Sequence, residues 1–459
     1  MDWGCSMAKR FIPVDRSTDY LLPPSVQDWL PAQHLARFVV EIVDQLDLSR
    51  LEARYGGRGG SAAHHPSVLL GLLIYGYASG VYSSRAIERS TYDSVAFRFV
   101  AADTHPDHDT INTFRKTFWD QIEAAFAQVL RIAAEMGVLK LGVVSLDGTK
   151  IKANASKHSA LSYGHAQKLE AQIQAEIAEL KRRAEAAESL PDELSLPDEL
   201  QRREDRLEAI RQAKAEIEAR AAERDAQALA EYEAKVQARE SQRQQGHKPR
   251  GKEPQPPATG PKASDQVNLT DPESRILPAG SDFVQGYNAQ AVVDAASMLI
   301  LVPDCVQAAN DKQQIEPALE ALQALPPQLG VENDTPIQLT ADTGYFSQAN
   351  VERCEQAGIV PLIAQQRESH SGWLDRRLTP VPILPDNATA LERMRHRLAT
   401  PQGRAAYALR KCSVEPVFGI IKQAMRFRQF LVRGLKNVKG EWGLVCLAFN
   451  IKRLAVLSG

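Results

Sequence analysis

From Gln167 to Arg243 the chain is built mostly of Ala, Glu, Arg, Lys and Leu, with Leu200, Leu207, Ile210, Ile217 and Ala221 at mostly three-four spacing. That period lines apolar side chains along one side of a helix, and reads as long helices packing on one another as in a coiled coil. Within the stretch, Ser189-Leu-Pro-Asp-Glu-Leu194 repeats as Ser195-Leu-Pro-Asp-Glu-Leu200. Its two prolines lack the amide hydrogen that a helix interior needs, so a turn between two antiparallel helices is expected there. Acids and bases are mixed along the segment, which favours a solvated or partner-facing surface over insertion into a DNA groove. The proline-rich run from Gln244 to Ala263 reads as a flexible linker.

Strand-like sequence lies on both sides of this interruption. Leu141 to Asp147 is short, β-branched and bounded by Gly148, and reads as a buried strand ending at Asp147. Further strands are expected at Phe283–Val293, Leu299–Pro303, Ile337–Ala341 and Ile359–Ile363, with helices at Lys312–Leu325 and Gln348–Ala357. Strands first, then strand and helix in alternation, predict an α/β layer domain with a mixed sheet. Ahead of it, Leu35, Phe38, Val39, Ile42, Val43 and Leu46, then Phe114, Phe118, Ile122, Phe126 and Val129, recur at helical spacing. They predict an all-helical N-terminal domain from Ser25 to about Met136, its last helix opening at Asp109-Thr110 after the breaker cluster His105-Pro106-Asp107-His108. At 459 residues the chain exceeds a single core, which stops growing near ~250–300 residues. The expected organisation is helical over 1–136, an α/β body in two parts at 137–164 and 266–459, and an insertion with linker at 165–265.

A formal net charge of −2 argues against a protein that coats nucleic acid through overall positive charge. Charge is segregated instead: residues 404–459 carry 11 Lys or Arg against two acids, Glu415 and Glu441, a candidate phosphate-facing surface. On the N-terminal helices, Arg85, Arg89, Arg98 and Arg115 either contact DNA or are solvated. Cys5, Cys305, Cys354, Cys412 and Cys446 form no Cys-x-x-Cys pair, which removes the usual zinc and disulfide readings and fits a reducing cytoplasm. No stretch reaches the ~18 uninterrupted apolar residues of a membrane span, so a cytoplasmic, nucleoid-associated location with no membrane partner is expected.

Three acids stand where chemistry is possible. Asp147 and Asp342 each follow an apolar strand and have a glycine close behind, at Asp147-Gly148 and Asp342-Thr-Gly344. A tight hairpin turn is the competing account of Asp-Gly. Glu415 precedes Pro416, which suits the first turn of a helix, and there an acid is favourable for electrostatic reasons alone. Lys422, seven residues on, lies two turns along the same face and is placed to hold a phosphate. Three carboxylates without a His or Cys partner are hard oxygen ligands suited to Mg2+ or Mn2+. Two such ions about 3.5–4 Å apart serve in-line displacement at phosphorus. No P-loop, H-E-x-x-H, G-x-S-x-G or dinucleotide fingerprint competes.

The chain closely resembles the DDE transposases of bacterial insertion sequences, in the subgroup with a long insert after the first aspartate. The stretches that carry the resemblance are Leu21-Leu-Pro-Pro-Ser25, His105 to Arg115, Val144-Ser-Leu-Asp-Gly-Thr-Lys150, Thr270 to Ser274, Gly286-Tyr-Asn-Ala-Gln290, Ala309-Asn-Asp311, Thr340-Ala-Asp-Thr-Gly-Tyr345 and Val414 to Lys422. The resemblance implies a ribonuclease H-like fold, with Asp147, Asp342 and Glu415 as catalytic metal ligands for two Mg2+ or Mn2+ ions. It further implies a Tyr-Arg-Glu-Lys signature of Tyr407, Arg410 or Lys411, Glu415 and Lys422. Four residues separate Arg410 from Glu415 where the family has three, so either cation fits the second place. Lys150, Lys152, Arg426 and Arg428 join these cations as expected DNA contacts. The implied activity is cleavage at transposon ends, freeing a 3′-hydroxyl that is joined to target DNA, by a homodimer whose N-terminal helices recognise the terminal repeats. The alternative is a catalytically silent, transposase-derived DNA-binding protein.

Overall fold

The computed structural model describes residues 25–55, 63–186, 196–246, 249, 251–280, 282–329, 336–366, 381 and 383–459. Residues 21–24, Cys5 and the repeat unit at 189–195 lie outside the described residues.

Eight strands are described, β1 (Val143–Lys152), β2 (Ala160–Ser162), β3 (Gln266–Asn268), β4 (Arg275–Ala279), β5 (Asp282–Asp294), β6 (Ile300–Val306), β7 (Gln338–Ala341) and β8 (Val360–Ile363). Six form one mixed sheet in the order β4-β5-β1-β7-β8, with β6 also paired to β5. β1 is antiparallel to β5 and parallel to β7, and β7 is parallel to β8. The parallel steps need crossovers, supplied by the Ile315–Leu329 and Gln348–Gln356 helices. Each expected strand is present, with shifted ends. The largest shift is in β1, which runs through Asp147 to Lys152 instead of ending at Asp147. Asp147-Gly148 is therefore no hairpin turn. A Cβ on Gly148 would lie 2.2 Å from the Gln290 amide nitrogen and 2.9 Å from Asn288 Oδ1, so the glycine makes room for two side chains of the neighbouring strand.

One hydrophobic cluster runs from the N-terminal helices through the sheet. The Pro66–Ser79 helix starts at a proline, which suits a position whose amide would be unpaired anyway, and stops at Gly80 with φ 82°. Leu69, Leu70, Leu72, Leu73 and Ile74 are all buried because apolar elements lie around it. The Leu435–Leu457 helix packs on it, on the Trp119–Glu135 helix and on β6. Gly440 permits this approach, since a Cβ there would lie 2.3 Å from the Trp119 ring. Glu441 on the same helix is fully buried. It accepts the Tyr77 hydroxyl at 2.6 Å and the Leu431 and Val432 amides at 2.8 and 3.3 Å, with the Arg115 guanidinium 3.9 Å away.

Three local expectations need correcting. The cap of the His108–Thr117 helix is Asp107, whose carboxylate accepts the Thr110 amide at 2.7 Å, and the expected single helix is broken at Phe118 into two. Arg115 is neither a DNA contact nor solvated: it is 5% exposed and donates to the Tyr77 hydroxyl and the Tyr82 carbonyl. The basic tail is not one phosphate-facing surface, because Lys439 pairs with Asp304, Lys452 donates to the Ala78 carbonyl and Arg453 to that of Ser297.

The insertion is a helical hairpin of Tyr163–Ala186 and Leu196–Gln244. Ile173 and Ile177 pack with Leu207, Ile210, Ala213 and Ile217. Ion pairs of Lys214 with Glu170 and of Arg203 with Glu176 record the antiparallel register. Residues expected to form a free linker are tied to the long helix: Arg239 donates to the carbonyls of Gly251 and Lys252, and Arg224 to that of Gly260.

Candidate functional site

Each of the three acids follows a hydroxyl residue by two positions, in Ser145-Leu-Asp147, Thr340-Ala-Asp342 and Ser413-Val-Glu415. Along a strand, residues two apart share a face, and Ser145 and Thr340 are direct partners in the β1–β7 ladder. The Thr340 hydroxyl donates to Ser145 Oγ at 2.9 Å and to the Val144 carbonyl at 3.1 Å. Ser145 and Ser413 share a hydrogen bond of 3.0 Å, and Ser413 also donates to the Leu409 carbonyl at 2.8 Å. All three hydroxyl residues are fully buried. Three segments far apart in the chain are thus pinned two residues before their acids. The repeated hydroxyl-x-acid spacing was the signal in the sequence.

The Asp147 carboxylate is largely buried; Oδ1 accepts the Gly148 amide at 2.8 Å and Oδ2 accepts Arg410 at 2.9 Å. Burial pushes its carboxyl above the usual range and nearby Asp342 adds to this, while Arg410 and the Gly148 amide pull the other way. Asp342 follows β7 and caps a single turn, accepting the Gly344 amide at 2.8 Å. Glu415 opens the Val414–Gly419 helix with its side chain 49% exposed, and lies 3.6 Å from Arg410. Arg410 therefore stands between Asp147 and Glu415 and interacts electrostatically with Asp342 as well.

Of Arg410 and Lys411, Arg410 is the cation that lies against the acids. Residues Leu409–Cys412 form a tight 3-10 turn and Ser413 takes φ −115° and ψ −82°, which absorbs the extra residue and brings Arg410 to the acids. Lys411 points to solvent. Tyr407, on the preceding Pro401–Ala408 helix, is half-buried and acts electrostatically on Arg410. Lys422 lies on a π-helical turn, Ile420–Ala424, and donates to the Thr149 hydroxyl and the Lys150 carbonyl. Thr149 is two residues beyond Asp147 on the same face of β1. Lys150 reaches within 3.7 Å of Asp311, and burial draws its ammonium below the usual lysine range. Lys152, Arg426 and Arg428 are exposed.

Asp311 is a residue to which sequence reasoning assigned no role. The side-chain amides of Asn288 and Gln290 donate to its Oδ1 at 2.7 and 2.8 Å, and Gln290 in turn accepts the Tyr345 hydroxyl. A Cβ on Gly344 would sit 3.0 Å from Asp342 Oδ1 and 3.6 Å from Asp311 Oδ2, so this glycine leaves open the space between two carboxylates.

Among the described residues no three His, Cys, Asp or Glu side chains converge closely enough to enclose an ion as they stand. The residues nevertheless fit a divalent cation in donor type and in charge: burial raises the Asp147 carboxyl, nearby Asp342 adds to this, and a guanidinium compensates the acids. Glu415 meets Asp147 across that guanidinium, so an ion shared by the two needs Arg410 displaced.

Residues 24–117 match a family described as Transposase domain (DUF772), and residues 375–455 match one described as Transposase DDE domain. The second match contains Tyr407, Arg410, Glu415 and Lys422; neither reaches Asp147 or Asp342. No curated protein and no solved structure gives a match.

Proposed function

Family matches on both sides of the insert support an insertion-sequence DDE transposase, and from that premise we propose that Asp147, Asp342 and Glu415 hold Mg2+ or Mn2+ for DNA cleavage at transposon ends and strand transfer into target DNA. The observation that carries the proposal is the convergence of three acids from distant segments on Arg410. The sheet supports a ribonuclease H-like reading: antiparallel β6-β5-β1 continues into parallel β7 and β8, with Asp147 on the central strand and Asp342 directly after its parallel neighbour.

Two divalent ions bound there would stabilise charge on the attacking and departing oxygens of an in-line displacement at phosphorus. The chain's own residues do the positioning. Ser145, Thr340 and Ser413 hold the acid-bearing segments in register. Lys422, beside Thr149, and Lys150 present cations to a phosphate lying along β1. Arg410 compensates the charge of Asp147 and Glu415, and would have to move aside for the two acids to share an ion. The half-exposed Glu415 is the acid with the most freedom to close on Asp147. Arg426 and Arg428 extend the DNA path, and the N-terminal helices, with Arg85 and Arg89 exposed, engage terminal repeats within a homodimer.

The test is Mg2+-dependent nicking and joining of a duplex carrying the ends that flank the gene. Wild-type protein is expected to do both, and Asp147→Asn or Glu415→Gln to abolish both with DNA binding retained. Wild-type rates in either variant refute the assignment. Nicking without a joined product points to a hydrolytic nuclease instead.

A further inference from the structure

A cavity of about 250 Å³ opens where the far end of β1 meets the start of β5, bordered by Lys152, Lys157, Asp282, Phe283, Gln285 and Gln429. It is separate from the acids: Lys152 is five residues past Asp147 on an extended strand, roughly 16 Å at ~3.3 Å per residue.

Its lining is unusual in three respects. Phe283 is 60% exposed, an aromatic face presented to solvent at the mouth. Gln285 is 6% exposed, and while its amide nitrogen donates to Ser274 Oγ at 2.6 Å, its Oε1 is buried without a partner among the described residues. Lys152 and Lys157 are exposed and form no ion pair with a described residue. The Lys152 amide donates to the Arg428 carbonyl at 3.2 Å, which ties this end of β1 to the segment that carries Gln429.

We propose that this cavity binds one unstacked nucleotide of the DNA strand leaving the acid site, an inference that rests on the transposase reading. The base stacks on Phe283 at the mouth of the cavity. Its flanking phosphates lie on Lys152 and Lys157. The Asp282 carboxylate on the wall repels a phosphate, so the base enters and the backbone stays at the rim. Stacking is sequence-tolerant because every base has a π face. At ~3.4 Å per nucleotide, the position held is about five nucleotides from the phosphate at Asp147.

The experiment uses the full chain and the flanking-end duplex, with 2-aminopurine placed at one position at a time and no divalent ion present. One position, about five nucleotides from the cut, is expected to change fluorescence on binding far more than its neighbours. Phe283→Ala removes that response and loosens binding about tenfold; Phe283→Trp retains both. Phe283 is exposed, so neither change threatens the fold. A chain that binds the duplex, and nicks it once Mg2+ is added, while no position responds, or whose response survives Phe283→Ala, overturns the cavity assignment alone. A chain that neither binds nor nicks overturns the transposase reading, and this inference with it.

Discussion

Replacing Ser145 by alanine measures how firmly the acids are pinned. Ser145 Oγ is common to both hydroxyl contacts, 2.9 Å to Thr340 and 3.0 Å to Ser413. Each is worth a net ~0.5–1.5 kcal/mol, and stranding a buried donor would add a further ~1–3 kcal/mol. No donor is stranded here. Thr340 keeps the Val144 carbonyl at 3.1 Å and Ser413 keeps that of Leu409 at 2.8 Å. The expected loss is therefore about 1–3 kcal/mol, read as a lower urea midpoint with an unchanged slope. Thr340→Val should cost a similar amount, and the double variant less than the sum, because one bond is counted in both. A Ser145→Ala loss above about 4 kcal/mol would mean that the neighbours do lose their last partner. Strict additivity would mean that the hydroxyls are not one unit. If the pin also positions the acids, end nicking falls by up to about 10²-fold, the effect of a displacement near 1 Å.

Glu441→Ala should be far more damaging, about 3–5 kcal/mol by chemical denaturation, because it leaves the Arg115 charge, the Tyr77 hydroxyl and two amides unpaired in a dry interior; a loss under about 1 kcal/mol would show that water reaches the site. Gly148→Ala drives a methyl into the Gln290 amide and should cost about 1–3 kcal/mol, with an unaltered thermal melt counting against the close approach. Burial alone would raise the Glu355 carboxyl, but hydrogen bonds from Arg393 and Arg397 outweigh it and hold the carboxyl below its ordinary 4.5. Its stabilisation is thus present above that value and disappears as pH falls through the depressed one. Hydrogen exchange in the Ala390–Ala399 helix should accelerate over that acid range, and in Arg393→Ala the acceleration should begin at higher pH.

The alternation of β-branched, apolar runs made the strands legible in the sequence, and the three-four spacing of Leu207, Ile210 and Ile217 made the hairpin so. The acids were legible as residue types behind apolar strands. What escaped depends on partners remote in the chain. Gly148 looks like a turn former until Asn288 and Gln290 are seen to need its space. Arg115 looks like a surface cation until Glu441 and Tyr77 enclose it. Arg410 and Lys411 cannot be separated by spacing, because the backbone of Ser413 decides which one turns inward. The Gln244–Ala263 run has a linker's composition, yet arginines of the long helix tie down its carbonyls.

The Leu435–Leu457 helix follows every other described element, and it buttresses the central sheet from behind. Its Trp442 indole donates to the Gln290 carbonyl at 3.0 Å, and Asn450 exchanges two hydrogen bonds of 2.8 Å with Ile300. A ribosome extending the chain at ~5–20 residues per second releases Asp147 long before this buttress exists. Asp147 and its strand are thus made well before the helix that backs the neighbouring β5.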